Sequence, residues 1–241
     1  MSAELFGFKI DVMTFEEVLA AAENIINSNA KAQVITINPE MFAEADKNAE
    51  FANVIRDAEL VIPDGVGVKI ALKINGIDAE RIPGIDFAYK LLEISAEKGY
   101  SVAIIGAKEE VIKKATENLL NRLPNINIVY SRNGYFDNDN EIYKELAEKN
   151  PQIVLVAMGS PRQEFFISNA KKVVNRGFMV GIGGSLDVWA GCVKRAPKIF
   201  QVTGTEWVYR TILQPERFKR IFPALPLFLL KVFRYKLDRS K

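Results

Sequence analysis

Gln152-Ile153-Val154-Leu155-Val156-Ala157, followed after one residue by Gly159-Ser160-Pro161-Arg162-Gln163-Glu164, decides the fold class. The first run is apolar without alternation, as a strand covered on both faces must be, and the second interrupts it with glycine and proline where a helix can begin. The same pattern recurs on either side of it. Gln33-Val34-Ile35-Thr36-Ile37, Glu59-Leu60-Val61-Ile62, Ser101-Val102-Ala103-Ile104-Ile105, Ile126-Asn127-Ile128-Val129-Tyr130 and Phe178-Met179-Val180-Gly181 all read as strands. Between them, Thr14-x-x-Glu17 has capping-box spacing for a helix to about Asn27, Ile85 to Lys98 is amphipathic and stops at Gly99, and Lys108 to Arg122 is helical. Alternating strands and helices predict an α/β fold, an open and mainly parallel sheet with a Rossmann-like core. After Arg195-Ala196-Pro197 the pattern turns to long helical stretches that are both basic and apolar. The expected organisation is an α/β body over 1–193 and a helical, membrane-associating appendage over 194–241.

Composition narrows the chemistry. The 241 residues contain no histidine and one cysteine, Cys192. Serine–histidine and cysteine–histidine nucleophile systems, histidine metal sites, cysteine zinc cages and internal disulfides are thereby excluded, and a reducing cytosol is expected. Any general base must be a carboxylate, Lys or Tyr. Residues 194–241 carry twelve Lys/Arg against three Asp/Glu, leaving 20 against 27 for the body. Such a basic tail points to an anionic partner, nucleic acid or a lipid surface. The N-terminus has no signal-peptide pattern. Ile221 to Val232, interrupted by Pro223 and Pro226, is shorter than the ~20 apolar residues of a spanning helix, which suits an interfacial segment.

Open α/β sheets bind ligands beyond the carboxyl ends of their strands, so the residues just after each strand are the candidate site. Asp64 follows an apolar strand directly and precedes Gly65-x-Gly67, which suits either a catalytic carboxylate facing the crevice or an N-cap. Gly181-x-Gly183-Gly184 can meet a phosphate through backbone N–H groups or can be a tight turn. Gln163 can hydrogen-bond a substrate or can simply lie at the start of a helix from Pro161. Asp187 can accept from a nucleotide or cap the turn before Trp189. Arg81 and Arg132 are candidate phosphate ligands. Asp137-Asn138-Asp139 has D-x-D spacing, but its polar surroundings favour a turn and N-cap. No G-x-G-x-x-G is present, which disfavours a nicotinamide enzyme.

Read in order, these clusters resemble glycosyltransferase family 26, the WecG/TagA/CpsF family. The resemblance runs through Thr36-x-Asn38-Pro39-Glu40, Pro63-Asp64-Gly65-x-Gly67, Glu80-Arg81-x-x-Gly84, Arg132-Asn133-Gly134-Tyr135-Phe136, Gly159-Ser160-Pro161-Arg162-Gln163-Glu164, Gly181-x-Gly183-Gly184-x-x-Asp187, Arg195-Ala196-Pro197 and Glu206-Trp207-x-Tyr209-Arg210. It implies inverting, metal-independent transfer of an N-acetylmannosamine-type sugar from a uridine-diphosphate (UDP) donor to the 4-hydroxyl of N-acetylglucosamine on undecaprenyl diphosphate, with no cofactor. It assigns Asp64 as base and places Thr36, Asn38, Arg81 and Gln163 around the sugar and acceptor. Nucleotide contacts are implied at Gly134, Tyr135, Gly159, Gly181, Gly184 and Asp187, and diphosphate contacts at Arg210, Arg217 and Arg220. The implied setting is an anionic membrane surface at the cytoplasmic face, not nucleic acid. The oligomeric state stays open, a homo-oligomer included. The rivals at this point are a nucleotide-sugar epimerase or dehydrogenase and a non-enzymatic membrane adaptor.

Overall fold

The computed structural model describes residues 1–213 and 218–239, excluding the side chains at 202, 210, 213, 218–224, 238 and 239. The elements are β1 (Ser2–Leu5), β2 (Phe8–Asp11), α1 (Phe15–Asn27), β3 (Lys31–Ile37), α2 (Pro39–Ala45), α3 (Ala49–Arg56), β4 (Leu60–Pro63), α4 (Val66–Ile74), α5 (Gly84–Lys98) and β5 (Ser101–Gly106). They continue with α6 (Glu109–Arg122), β6 (Asn127–Arg132), α7 (Asp139–Lys149), β7 (Ile153–Ala157), α8 (Arg162–Val173), β8 (Gly177–Gly181), α9 (Ser185–Trp189), α10 (Lys198–Val202), α11 (Glu206–Leu213) and α12 (Phe218–Arg239). All six expected strands are present and form one sheet in the order β4-β3-β8-β7-β5-β6, with every pairing parallel. Helix α1 starts at the expected Thr14–Glu17 capping box, and α5 ends at Gly99 in the left-handed region.

Strand side chains alternate between two faces. On one face Val34, Ile62, Val102, Ile104, Leu155 and Val180 pack with α1, α5, α6 and α9. On the other, Ile35, Ile37 and Val61 pack with α2, α3, α4 and α12, while Ala103, Ile105, Val154 and Val156 pack with α7 and α8. Two layers of helix therefore cover strands that are apolar on both sides, which is why those runs show no alternation.

This layering fixes the ligand crevice. Strands β3 and β8 are neighbours, yet the helix after β3 (α2) lies on one face and the helix after β8 (α9) on the other. The two connections part there, opening a crevice at the carboxyl ends of the strands.

The hairpin of β1 and β2 is absent from the sequence reading. It turns through Phe6 and Gly7, both at positive φ, and puts Leu5, Phe8 and Ile10 into the core beside α2 and β4. Asp11 Oδ2 accepts the backbone N–H of Val61 at 2.9 Å, so the hairpin also occupies a donor of the edge strand β4.

The C-terminal helices are not a detached tail. Phe228 and Val232 of α12 are buried against Phe6 and Phe42, while Leu227, Leu230, Phe233 and Leu237 on the same helix are each more than half exposed. Among the described residues, no helix is long and apolar enough to cross a membrane.

Candidate active site

A cleft of ≈ 1040 Å³ lies over the carboxyl ends of β3, β4, β7 and β8, and residues of α11 and α12 contribute to its wall. Thr36, Asn38, Asp64, Arg81, Gly159, Gln163, Gly181, Gly184 and Asp187 all line it, so residues far apart in sequence meet at the crevice that the layering predicts. Gly134 and Tyr135 do not line it. Gly134 is packed against Gly106 and Ala107, and Tyr135 is exposed. Arg217 lies outside the described residues, as do the side chains of Arg210 and Arg220. Arg132 faces a separate groove between α6 and β6.

Asp64 occupies the first position after β4. Its backbone N–H donates to the Ile37 carbonyl at 2.8 Å, which extends the β3–β4 ladder by one residue and fixes where the carboxyl points. Oδ1 accepts the N–H of Gly65 at 2.6 Å and Oδ2 accepts that of Gly84 at 3.3 Å. Gly65, at φ 80°, is the N-cap of α4 and makes no side-chain cap hydrogen bond. The capping alternative for Asp64 is therefore not what the structure shows. Gly84 is needed for a different reason: a Cβ there would stand 3.3 Å from Thr36 Oγ1 and Cγ2, so its absence lets α5 approach β3 with Asp64 alongside.

The Asp64 carboxyl is partly open to the cleft but deep in the protein, and burial pushes its pKa above the ordinary carboxylate value. The Gly84 N–H, the Arg81 charge and the Gly65 N–H pull the other way, and Glu206 adds to the rise. Arg81 is anchored by a 2.9 Å bond from Nη2 to the carbonyl of Gln201 in α10. Gly204, at φ 71°, sits so close to Val66 that a Cβ would come within 2.9 Å of the Val66 Cβ. Segment 201–206 is thus fitted directly against the Asp64 turn, and buried Glu206 lines the same cleft. Sequence reading placed Glu206 in a motif but gave it no site role. Nothing in a sequence marks one glutamate as buried beside an aspartate.

Asn38 is committed on one side: its Oδ1 caps α2 by accepting from Glu40 and Met41 N–H at 3.0 and 3.1 Å. Its amide NH₂ is the end that suits a ligand. Gln163 accepts the N–H of Gly183 through Oε1 at 3.1 Å, so its carbonyl oxygen holds the glycine turn after β8. Asp187 lies in the first turn of α9 and takes no part in an N-cap bond; its backbone carbonyl closes the following turn by accepting from Cys192 and Val193.

Asp137-Asn138-Asp139 is the expected turn. Asn138 is the N-cap of α7 and accepts from Asn140 N–H at 3.1 Å, and Asp139 accepts from Tyr143 Oη at 3.3 Å. The run does not line the cleft. Among the described residues, no group of three or more Asp, Glu or Cys is arranged to hold a metal.

The arrangement thus offers one carboxylate of raised pKa on the cleft floor, a guanidinium beside it, and glycine turns after β7 and β8 with backbone N–H groups at helix starts. That combination suits proton abstraction from a hydroxyl next to an anionic leaving group.

The model of the family described as "Glycosyl transferase WecG/TagA/CpsF family" matches residues 3–241. An N-acetylglucosaminyldiphosphoundecaprenol N-acetyl-beta-D-mannosaminyltransferase of Bacillus subtilis (strain 168) is 34% identical over 219 residues, covering 90% of this chain and 85% of that protein. A protein of the same name from Bacillus spizizenii is 34% identical over 217 residues, covering 90% and 84%.

Proposed function

Because the chain belongs to the WecG/TagA/CpsF family of glycosyl transferases, we propose that it moves N-acetylmannosamine from a UDP donor to the 4-hydroxyl of N-acetylglucosaminyl-diphosphoundecaprenol, with inversion and without metal. Family membership makes the protein a glycosyltransferase and sets aside the nucleotide-sugar epimerase or dehydrogenase and the non-enzymatic adaptor readings. The donor, acceptor and stereochemistry are carried over from the names of the relatives and from the resemblance of the motifs.

The observation that carries the mechanism is the placement of Asp64. In a one-step displacement, the acceptor oxygen forms its bond to the anomeric carbon as the bond from that carbon to the diphosphate oxygen breaks. The hydroxyl proton passes to the Asp64 carboxylate and UDP departs with the electron pair. A pKa raised by burial makes the Asp64 carboxylate a stronger base than a solvated aspartate. The larger demand is the negative charge on the leaving diphosphate. Arg81, the N–H groups of the turns at Gly159 and Gly181 to Gly184, and the arginines Arg210, Arg217 and Arg220 are assigned that role. Thr36 and the Asn38 amide are assigned to the sugar and acceptor hydroxyls, and Asp187 to the nucleotide.

We further assign the outward apolar row of α12, with exposed Arg234 and Lys236 on the same helix, to contact with an anionic membrane surface, where a polyprenyl-linked acceptor resides; Lys231 instead pairs with Asp46 and lies over Phe6. The test is a product assay with a panel of UDP sugars and a short-chain lipid-diphosphate acceptor, run with and without chelator. Transfer from the N-acetylmannosamine donor, with opposite anomeric configuration in the product and no effect of chelator, is expected. Retained configuration, or activity lost to chelator and restored by Mn²⁺, contradicts the proposal.

A further inference from the structure

Under the cleft, where α8 crosses β3 and β8, three polar side chains are buried: Gln33, Gln163 and Glu164. Gln33 Nε2 donates to the backbone carbonyl of Glu164 at 2.9 Å and ties α8 to β3. Glu164 Oε1 accepts from Gln163 Nε2 at 2.7 Å, and Glu164 Oε2 is buried without a hydrogen-bond partner among the described residues.

A glutamine amide has a donating and an accepting end, and which way it points is decided by its neighbours. A carboxylate accepts only. With Glu164 taking the Nε2 end, the carbonyl end of Gln163 is turned toward Gly183 N–H, which it receives at 3.1 Å. The same Nε2 fills the space that a Cβ on Gly181 would need, so the amide is held between the carboxylate and the end of β8. The arrangement is costly. Burial pushes the Glu164 carboxyl above the ordinary range, and the Gln163 amide offsets only part of that. An apolar side chain of similar size would avoid this penalty. It would not orient the amide.

We propose that Glu164 is a positioning residue for donor binding: its buried carboxyl fixes the direction of the Gln163 amide and so holds the Gly181 to Gly184 turn in the shape that receives a nucleoside diphosphate. This deepens, and rests on, the reading of the cleft as a UDP-sugar site.

The experiment is calorimetric titration of the full-length protein with UDP, alongside hydrogen exchange at the Gly183 amide, for Glu164→Leu and Glu164→Gln. Leucine keeps the volume and loses the acceptor; glutamine keeps an acceptor. The leucine variant should bind UDP about tenfold more weakly and exchange Gly183 faster, as for loss of a charged hydrogen bond. Its donor KM should rise more than its kcat falls. The glutamine variant should keep most of the affinity. A folded leucine variant with unaltered UDP affinity and Gly183 protection overturns the proposal. Should that variant fail to fold, NMR of the unaltered protein decides: Gln163 side-chain amide protons that exchange slowly and shift as Glu164 titrates support it, and amide protons that exchange as freely as those of an exposed glutamine overturn it. If the unaltered protein does not bind UDP, the donor reading fails, while Gly183 protection still reports on Glu164.

Discussion

Two turns carry aspartate into the start of a helix, and they use it differently. At Asp137-Asn138-Asp139 the N-cap is Asn138, the aspartates on either side are exposed, and the hydrogen bonds of Asn138 and Asp139 run to Asn140, Glu141 and Tyr143 of α7. At Pro63-Asp64-Gly65 the N-cap is a glycine, and the carboxylate one residue earlier reaches across to Gly84, twenty positions away, under a guanidinium from the same connection. Both are short polar or glycine-rich turns ahead of a helix. What separates them is place: β4 and β6 are both edge strands, but β4 lies next to β3, where the connections from β3 and β8 part, and β6 lies at the far edge. The aspartates after β6 are solvated and serve a helix end. The aspartate after β4 is half-buried, kept basic and aimed into a cleft.

The largest effect that sharpens this contrast is expected at Asp64. Asp64→Asn should lower turnover at least ~10²-fold with UDP affinity nearly unchanged. It should not destabilise the protein at neutral pH. A carboxyl whose pKa is raised in the folded state binds more protons folded than unfolded, so stability falls as pH rises from the unfolded value through the folded one. Removing the charge relieves that loss above this window and changes little below it. Thermal melts of both proteins at pH 4 and pH 8 check the sign.

Next in size is Gly181→Ala, since a Cβ there would overlap the Gln163 amide. UDP binding should weaken about tenfold through displacement of Gln163 from Gly183, with a stability loss of about 1–3 kcal/mol from overpacking. Titration calorimetry and a denaturant melt measure both. Arg81→Ala comes third. It loses both the contact with Gln201 and a charge that lowers the Asp64 pKa, so the acid limb of the rate profile should move to higher pH. Smallest of all are the edge-turn changes. Asn138→Ala should cost about 1 kcal/mol of stability for a lost cap, and Asp137→Asn or Asp139→Asn should leave transfer within about twofold of the unaltered rate, as for surface positions away from the site. A large loss of transfer at Asp139 would erase the distinction between the two turns.

The sequence showed the sheet because its strands are apolar on both faces, and it showed most of the cleft because the residues after β3, β4, β7 and β8 are short, glycine-rich and polar. The order β4-β3-β8-β7-β5-β6 was not readable, since strand order rests on pairings between distant segments. The hairpin escaped for another reason. Its strands are four residues long and carry Glu4, Lys9 and Asp11, so the alternation of Ala3, Leu5, Phe8 and Ile10 about Phe6-Gly7 was its only signal. Asn38, Gln163 and Asp64 are candidates from the sequence that the structure brings to one cleft; the Asn38 cap on α2 is local, two and three residues on, whereas the hold on Gly183 and the span to Gly84 are tertiary hydrogen bonds that no local pattern shows. Gly134 and Tyr135 share the motif order of the cleft residues without sharing its lining. Pattern order along the chain does not specify which side of a turn faces the ligand.

The pH dependence of transfer at saturating substrates tests the role of Asp64 most directly. The unaltered enzyme should lose rate on the acid side with an apparent pKa above the ordinary aspartate value of 3.8, because the buried carboxyl must be ionised to take the acceptor proton. Asp64→Asn should leave a small residual rate that is flat across the same range. A variant that keeps the acid limb, or that transfers sugar at close to the unaltered rate, would contradict the assignment of Asp64 as the base.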